Sequence, residues 1–340
     1  MAQCACARYG ARLARMPPVL QIFAITFPFF ALVAAGYFAA RRRLVPIEAI
    51  PGLNIFVLYF ALPCMLYRFG ARTPVAELFD VPVLMVWGFG AITMVCGTVA
   101  FTRRGRIGWN DAAFGALVAT FSNTGFMGVP LLAALLGAGV AGPVMLTIAF
   151  DVVVTSSLCI ALSRLDGATA SIGAALRQAS RGVFLNPLLW SIVLGALTSA
   201  LRFELPGPID RTLAMMAEAA TPTALFTIGA VLARPALIAA RTGIAQMRAP
   251  VGDVLPVVVA KLLVHPLYIY VLTQGAMALG LPIGREALVA IVLVAALPSA
   301  SNVSMLAERY GADNGRIARI ILWTTVAAFF TFPLATRWLR

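Results

Sequence analysis

The sequence predicts an all-α, multi-pass membrane protein of about ten transmembrane helices. It predicts an inverted 5+5 repeat in which the fourth and ninth helices are broken where they cross. Three observations carry this expectation. Hydrophobic residues make up 61% of the 340 residues and charged residues 11%, whereas a soluble domain has roughly 45–50% and about 25%. The apolar residues fall in runs of about 20, the length that crosses a bilayer. The two halves of the chain also share motifs at a near-constant offset. The composition excludes an ordinary water-soluble enzyme, a disordered chain and a disulfide scaffold.

The apolar runs lie at 19–40, 50–69, 82–101, 112–137, 141–163, 185–202, 212–233, 254–278, 286–306 and 317–337. The first ends in Arg41-Arg42-Arg43 and is too long for the apolar core of a signal peptide, so it reads as a retained span. Residues 1–15 read as an N-terminal extension, with Met16 as the natural start. Residues 16–163 then form the first five-helix repeat and 185–340 the second. Residues 164–184, with Arg164, Asp166, Arg177 and Arg181, read as a cytoplasmic linker carrying an amphipathic surface helix. A second loop at 234–250 carries Arg234, Arg241 and Arg248.

The net charge of +13 comes from 25 arginines and a single lysine, Lys261. The arginines cluster at run ends, which points to orientation in a membrane and not to nucleic acid. Loops after odd-numbered runs hold fifteen arginines and those after even-numbered runs hold five, namely Arg68, Arg72, Arg202, Arg211 and Arg285. Cytoplasmic loops carry the excess of basic residues. The odd loops are therefore cytoplasmic, and both termini lie on the other side of the cell membrane. Trp109, Trp190 and Trp338 fall near run ends and read as interfacial anchors. The five cysteines show neither zinc nor redox spacing, and one histidine, His265, cannot build a multi-histidine metal site. No metal or cofactor is expected.

The internal match is specific. Ala61-Leu62-Pro63-Cys64-Met65-Leu66-Tyr67-Arg68-Phe69-Gly70 and Ala220-Thr221-Pro222-Thr223-Ala224-Leu225-Phe226-Thr227-Ile228-Gly229 both fit A-x-P-x-x-L-[FY]-x-x-G at an offset of 159. That offset carries Pro28 onto Pro187 and Gly36 onto Gly195, and an offset of 179 carries Ser122-Asn123 onto Ser301-Asn302. Two related halves of five spans each have opposite orientations, because five is odd. Inverted repeats of this kind are characteristic of secondary transporters.

The fourth run contains Phe121-Ser122-Asn123-Thr124-Gly125-Phe126-Met127-Gly128-Val129-Pro130. The ninth contains Leu297-Pro298-Ser299-Ala300-Ser301-Asn302. Glycine weakens a helix and proline removes a backbone donor. Broken backbone in a membrane is tolerated only when buried or lining a cavity, and paired breaks in matching halves point to a transport site. Half-helix N-termini there suit a carboxylate. Asn123 and Asn302 donate and accept hydrogen bonds without fixed charge. Thr124, Gly125, Pro130, Pro298, Ser299 and Ser301 complete the candidate substrate site. Pro63 and Pro222 are expected to kink or unwind their helices and frame the cavity. Helix kinks with asparagines bonding across helices explain the same residues structurally.

Charges inside apolar runs cost roughly 2.5–3.5 kcal/mol each at mid-bilayer and call for a partner or a task. Asp151, Lys261 and His265 are candidates for coupling or charge tuning, with Asp151–Lys261 as an alternative buried structural pair. Glu218 reads as interfacial, and His265 before Pro266 equally suits a packing role.

Asn123-Thr124-Gly125-Phe126-Met127-Gly128-Val129-Pro130-Leu131 resembles the fourth-span signature of the auxin efflux carrier family. The paired proline motif, Lys261 with Pro266, Leu297 to Asn302, and Arg309-Tyr310-Gly311 fit the same family from about Met16 to the C-terminus. The chain lacks the long central loop of the long plant carriers and is similar to the short bacterial malate and malonate permeases. The resemblance implies the fold of sodium/bile-acid symporters. Spans 1, 2, 6 and 7 would form a scaffold, which offers a face for a homodimer. Spans 3–5 and 8–10 would form a transport domain moving as an elevator. It also implies substrate contacts at Asn123 and Asn302, and small organic anions as substrates, either mono- and dicarboxylates or auxin-like indole carboxylates. Pro130 follows Asn123 while Pro298 precedes Asn302, so the two halves are not symmetric at the break. Proton or sodium coupling both fit, with Ser122, Thr124, Ser299 and Ser301 as candidate sodium ligands. A non-transporting sensor and an intramembrane enzyme stay open as readings of a different class.

Overall fold

The computed structural model describes residues 18–103, 107–165, 184, 186–242 and 251–339. The N-terminal extension and nearly all of the 164–184 linker lie outside the described residues. Every regular element is a helix: α1 (Pro18–Arg41), α2 (Ala49–Arg72), α3 (Val81–Arg103), α4 (Trp109–Thr120), α5 (Thr124–Leu136), α6 (Ala141–Ser163), α7 (Pro187–Ala200), α8 (Gly207–Thr242), α9 (Gly252–Ala278), α10 (Arg285–Ala296), α11 (Val303–Arg309) and α12 (Asn314–Leu339). Seven of these, α1, α2, α3, α6, α8, α9 and α12, are long and apolar enough to cross a membrane. α4 with α5, and α10 with α11, are the broken fourth and ninth runs. Among the described residues there is no sheet, only one isolated antiparallel bridge, Ser122 to Ser299.

α1 packs along α8, α2 along α7, and α8 also touches α2. Lipid gives helices no hydrophobic reason to associate, so close backbone approach through small residues supplies the packing. A Cβ on Gly36 would lie 1.9 Å from the carbonyl oxygen of Phe226, and one on Gly229 1.9 Å from that of Val33. The α2–α7 crossing repeats the arrangement. A Cβ on Gly195 would lie 3.0 Å from the Cα of Gly70. These two glycine pairs exchange under the 159-residue offset, Gly36 with Gly195 and Gly70 with Gly229. The remaining helices, α3–α6 and α9–α12, pack mainly on one another, and reach the first group through α12 on α1 and α5 on α8.

Three expectations need correction. α8 does not end near 233 but runs 36 residues to Thr242, so Arg234 and Arg241 sit on helix. The Ala- and Leu-rich stretch after Pro235 is a strong helix former. Pro222 does not unwind α8 and lies exposed on it, because a proline on an exposed face costs one hydrogen bond and bends the helix without breaking it. Pro63 does coincide with an irregularity, the π-helical turn Val57–Ala61 just before it, which widens the hydrogen-bond ladder ahead of the ring. The third correction, the pairing of Lys261, concerns the site.

Candidate functional site

The two breaks meet. α4 ends at Thr120 and α10 at Ala296, and the extended segments after them run antiparallel. The backbone N–H of Asn123 donates to the Pro298 carbonyl at 2.9 Å, and that of Ala300 to the Phe121 carbonyl at 3.0 Å. Each break thus satisfies backbone groups that helix would otherwise bond internally, as a dry interior demands. Ser299 fastens the crossing further. Its hydroxyl donates to the Val118 carbonyl at 2.6 Å, and its N–H donates to Thr324 Oγ1 on α12 at 3.3 Å.

Lys261 lies under this crossing, 0% exposed. Its ammonium donates to Ser122 Oγ at 2.5 Å, to the Ala295 carbonyl at 3.1 Å and to the Thr120 carbonyl at 3.5 Å, and meets His265 Nδ1 at 3.2 Å. Thr120 and Ala295 are the last turns of α4 and α10. A helix C-terminus carries about half a negative charge and unbonded carbonyls. The lysine therefore caps two half-helices at once. The π-helical turn Ala260–Val264 delivers Lys261, and His265 follows four residues later on the same side.

Asp151 is not the ion-pair partner of Lys261. Among the described residues the ion pairs are Arg68–Asp210 and Arg234–Glu308. Asp151 Oδ1 instead accepts from Trp87 Nε1 at 3.1 Å and from Thr155 Oγ1 at 2.9 Å. The Trp87 ring lies 5.7 Å from that of His265. Trp87 therefore stands between Asp151 and the His265–Lys261 pair, all four fully buried. The carbonyls of α4 and α10 supply the negative charge that a carboxylate would have supplied.

The two asparagines lie on the crossing segments, Asn123 bonded through its N–H to Pro298 and Asn302 at the N-cap position of α11. Asn123 is 2% exposed and Asn302 half-buried. Both Oδ1 atoms are buried without a hydrogen-bond partner, and among the described residues neither carboxamide makes a side-chain bond. A buried polar group in that condition is rare and calls for a ligand or a task. Asn123 begins the π-helical turn Thr124–Gly128, its carbonyl accepting from Met127 and Gly128. Two residues on, a Cβ on Gly125 would meet nothing within 4 Å, so the start of α5 has open space at that position. α5 offers a helix N-terminus there; α11 has only seven residues, too short for much of a dipole.

The crossing brings together Asn123, Thr124, Gly125, Pro298, Ser299, Ser301 and Asn302, with Lys261 and His265 beneath. Thr124 Oγ1 donates to the Ser122 carbonyl at 3.4 Å. Pro130 is half-buried one turn further along α5, and Pro63 is half-buried on α2. Pro222 is not drawn into this cluster, and Glu218 is exposed. Sequence reasoning missed Thr120, Ala295 and Trp87. The first and second act through carbonyls, which leave no trace in residue type. Trp87 sits in an apolar run where nothing separates it from a lipid-facing ring.

Comparison with known proteins gives the family. A family model described as membrane transport protein matches residues 19–336. A protein of Rhizobium meliloti described as a "putative malonate transporter" is 30% identical over 92% of this chain and 93% of its own. Uncharacterized transporters of Methanothermobacter thermautotrophicus and of Escherichia coli strain K12 are each 26% identical, covering 89% and 61% of this chain and 93% and 67% of their own. The chain therefore belongs to the membrane transport protein family, that of the auxin efflux carriers, and is a multi-pass transmembrane transporter.

Proposed function

We propose that this protein is a secondary active transporter of small organic anions, mono- or dicarboxylates of the malonate or malate kind, working by an elevator motion. The observation that carries this reading is the crossing: two hydrogen-bonded helix breaks bearing two asparagines whose carboxamide oxygens are buried without a partner. The substrate carboxyl group rests against Asn123 and Asn302. Ten spans in a 5+5 inverted repeat form the frame, supported by the exchanged glycine pairs of α1–α8 and α7–α2. α1, α2, α7 and α8 are the scaffold and offer the face for a homodimer. α3–α6 and α9–α12 are the moving unit, in the cell membrane with both termini outside. The resemblance to a malonate-transporter relative supports the substrate class.

A sodium-coupled carrier needs a free set of carbonyls and hydroxyls at the breaks, where cations bind in transporters of this architecture. Here the ammonium of Lys261 already engages Thr120, Ser122 and Ala295. This favours the reading without sodium. The assignment implies no enzymatic step.

The test is uptake of malonate, malate, succinate and indole-acetate into proteoliposomes, with and without an imposed pH gradient. Asn123→Ala is expected to abolish uptake while the purified protein stays monodisperse in detergent. Wild-type uptake by that variant removes Asn123 from the site.

A further inference from the structure

We propose that the crossing takes a dicarboxylate in its half-protonated, singly charged form, so that the substrate itself carries the proton. This rests on the transporter reading above and deepens it. A carboxylate only accepts hydrogen bonds, whereas a carboxylic acid donates one as well. Each free carboxamide, Asn123 and Asn302, offers one acceptor oxygen and one donor nitrogen, and each oxygen is buried without a donor. Whichever way the amides are turned, two carboxylates leave both acceptors unsatisfied. An acid and a carboxylate together supply a donor to one of the two.

Charge gives the same answer. A dianion in a dry site needs cations. Lys261 is the cationic side chain bonded to the crossing, and its three N–H groups already face Ser122 Oγ, two carbonyls and His265 Nδ1. The N-terminus of α5 offsets about half a charge. The other charged groups on the surrounding helices are engaged or remote. Asp151 on α6 bonds Trp87 and Thr155 through Oδ1, its Oδ2 buried without a partner, and is separated from the His265–Lys261 pair by the Trp87 ring. Glu308 on α11 pairs with Arg234 on α8. Arg316 on α12 bonds the carbonyls of Asp111 and Asp253, and Glu218 on α8 is exposed. With the lysine's charge taken up by the C-terminal turns of α4 and α10, the site as built offsets about half a negative charge, far short of the two a dianion brings.

The experiment is the pH dependence of KM for malonate and malate in wild-type proteoliposomes, with monomethyl malonate as control. The control carries one negative charge throughout and has no second ionisation. For each dicarboxylate, KM expressed as total substrate is expected to rise about tenfold per pH unit above its second ionisation. KM expressed as the half-protonated form stays constant. The breakpoint moves to lower pH from malonate to malate, following the lower second ionisation of malate, and the control stays flat. A flat KM for the dicarboxylates means that the dianion binds and overturns the proposal. A rise shared by monomethyl malonate, or a breakpoint common to both dicarboxylates, places the titrating group on the protein and also overturns it. Uptake confined to monocarboxylates overturns it while leaving the transporter reading intact. No uptake of any anion by folded protein removes both.

Discussion

Lys261 and Arg316 are both buried in helical surroundings, 0% and 3% exposed, and both give N–H groups to backbone carbonyls. The helix ends they meet are opposite. Lys261 meets the C-terminal turns of α4 and α10, where the peptide dipoles already present negative charge. Among the described residues no carboxylate pairs with it. Arg316 donates to the carbonyl of Asp111 at 2.9 Å and to that of Asp253 at 3.3 Å, in the first turns of α4 and α9. There the dipole is positive and works against a cation. The aspartate side chains of Asp111, Asp253 and Asp313 attract it instead. Asp313 also receives the Arg316 N–H at 2.9 Å, while its own N–H donates to Asp111 Oδ1 at 2.7 Å. One buried cation is neutralised by backbone and the other by side chains. The backbone solution leaves Lys261 without a carboxylate partner among the described residues, as the anion site proposed above requires.

The largest effect is expected from Lys261→Met. It strands Ser122 Oγ and the Ala295 carbonyl in a dry core, and each buried group left unpaired costs about 1–3 kcal/mol. Tm in detergent falls further than for any other variant discussed here, and uptake is lost. Asp151→Asn does not restore it, since the carboxylate was never the counter-charge; recovery of Tm in the double variant would break the comparison. Lys261→Arg also fails to restore uptake, because a planar fork does not match acceptors gathered around a point charge.

Arg316→Met is expected to cost less, about 1–2 kcal/mol, chiefly as repulsion among aspartates near the ends of their helices. Adding Asp253→Asn recovers part of the loss in thermal unfolding. An unchanged Tm on that addition would mean that the aspartates are not what neutralises the arginine. Gly115→Ala gives the smallest effect. Its Cβ would lie 2.9 Å from Arg316 Nη1, so the guanidinium shifts and the cost is within about 1 kcal/mol. A Tm drop as large as that of Arg316→Met would show that the arginine tolerates no displacement.

The broken fourth and ninth runs were legible because glycine, asparagine and proline are conspicuous in an apolar stretch. Asn123 and Asn302 were legible for the same reason, since few polar side chains enter a membrane without a task. Lys261 and Asp151 were visible as charges, but pairing them was wrong. Opposite charges in neighbouring spans suggest an ion pair only while the backbone is assumed to be fully bonded. At a helix break it is not. Pro222 shows the reverse error. A motif shared with Pro63 gave both prolines one role, yet the structure leaves one on an exposed helix face and the other beside a π-helical turn.

The sequence by itself determined the solvent, the positions of both breaks and the internal match between the halves. Each of these is written in side-chain type and spacing, which hydropathy and backbone sterics convert directly into structure. Only the tertiary structure decided what surrounds the breaks. The carbonyls that hold Lys261 come from residues 141 and 34 positions away. Every residue carries a carbonyl, so composition cannot mark the ones left free. Only the folding of α4 and α10 to their ends beside α9 exposes those two, and only their meeting leaves the asparagine carboxamides without partners.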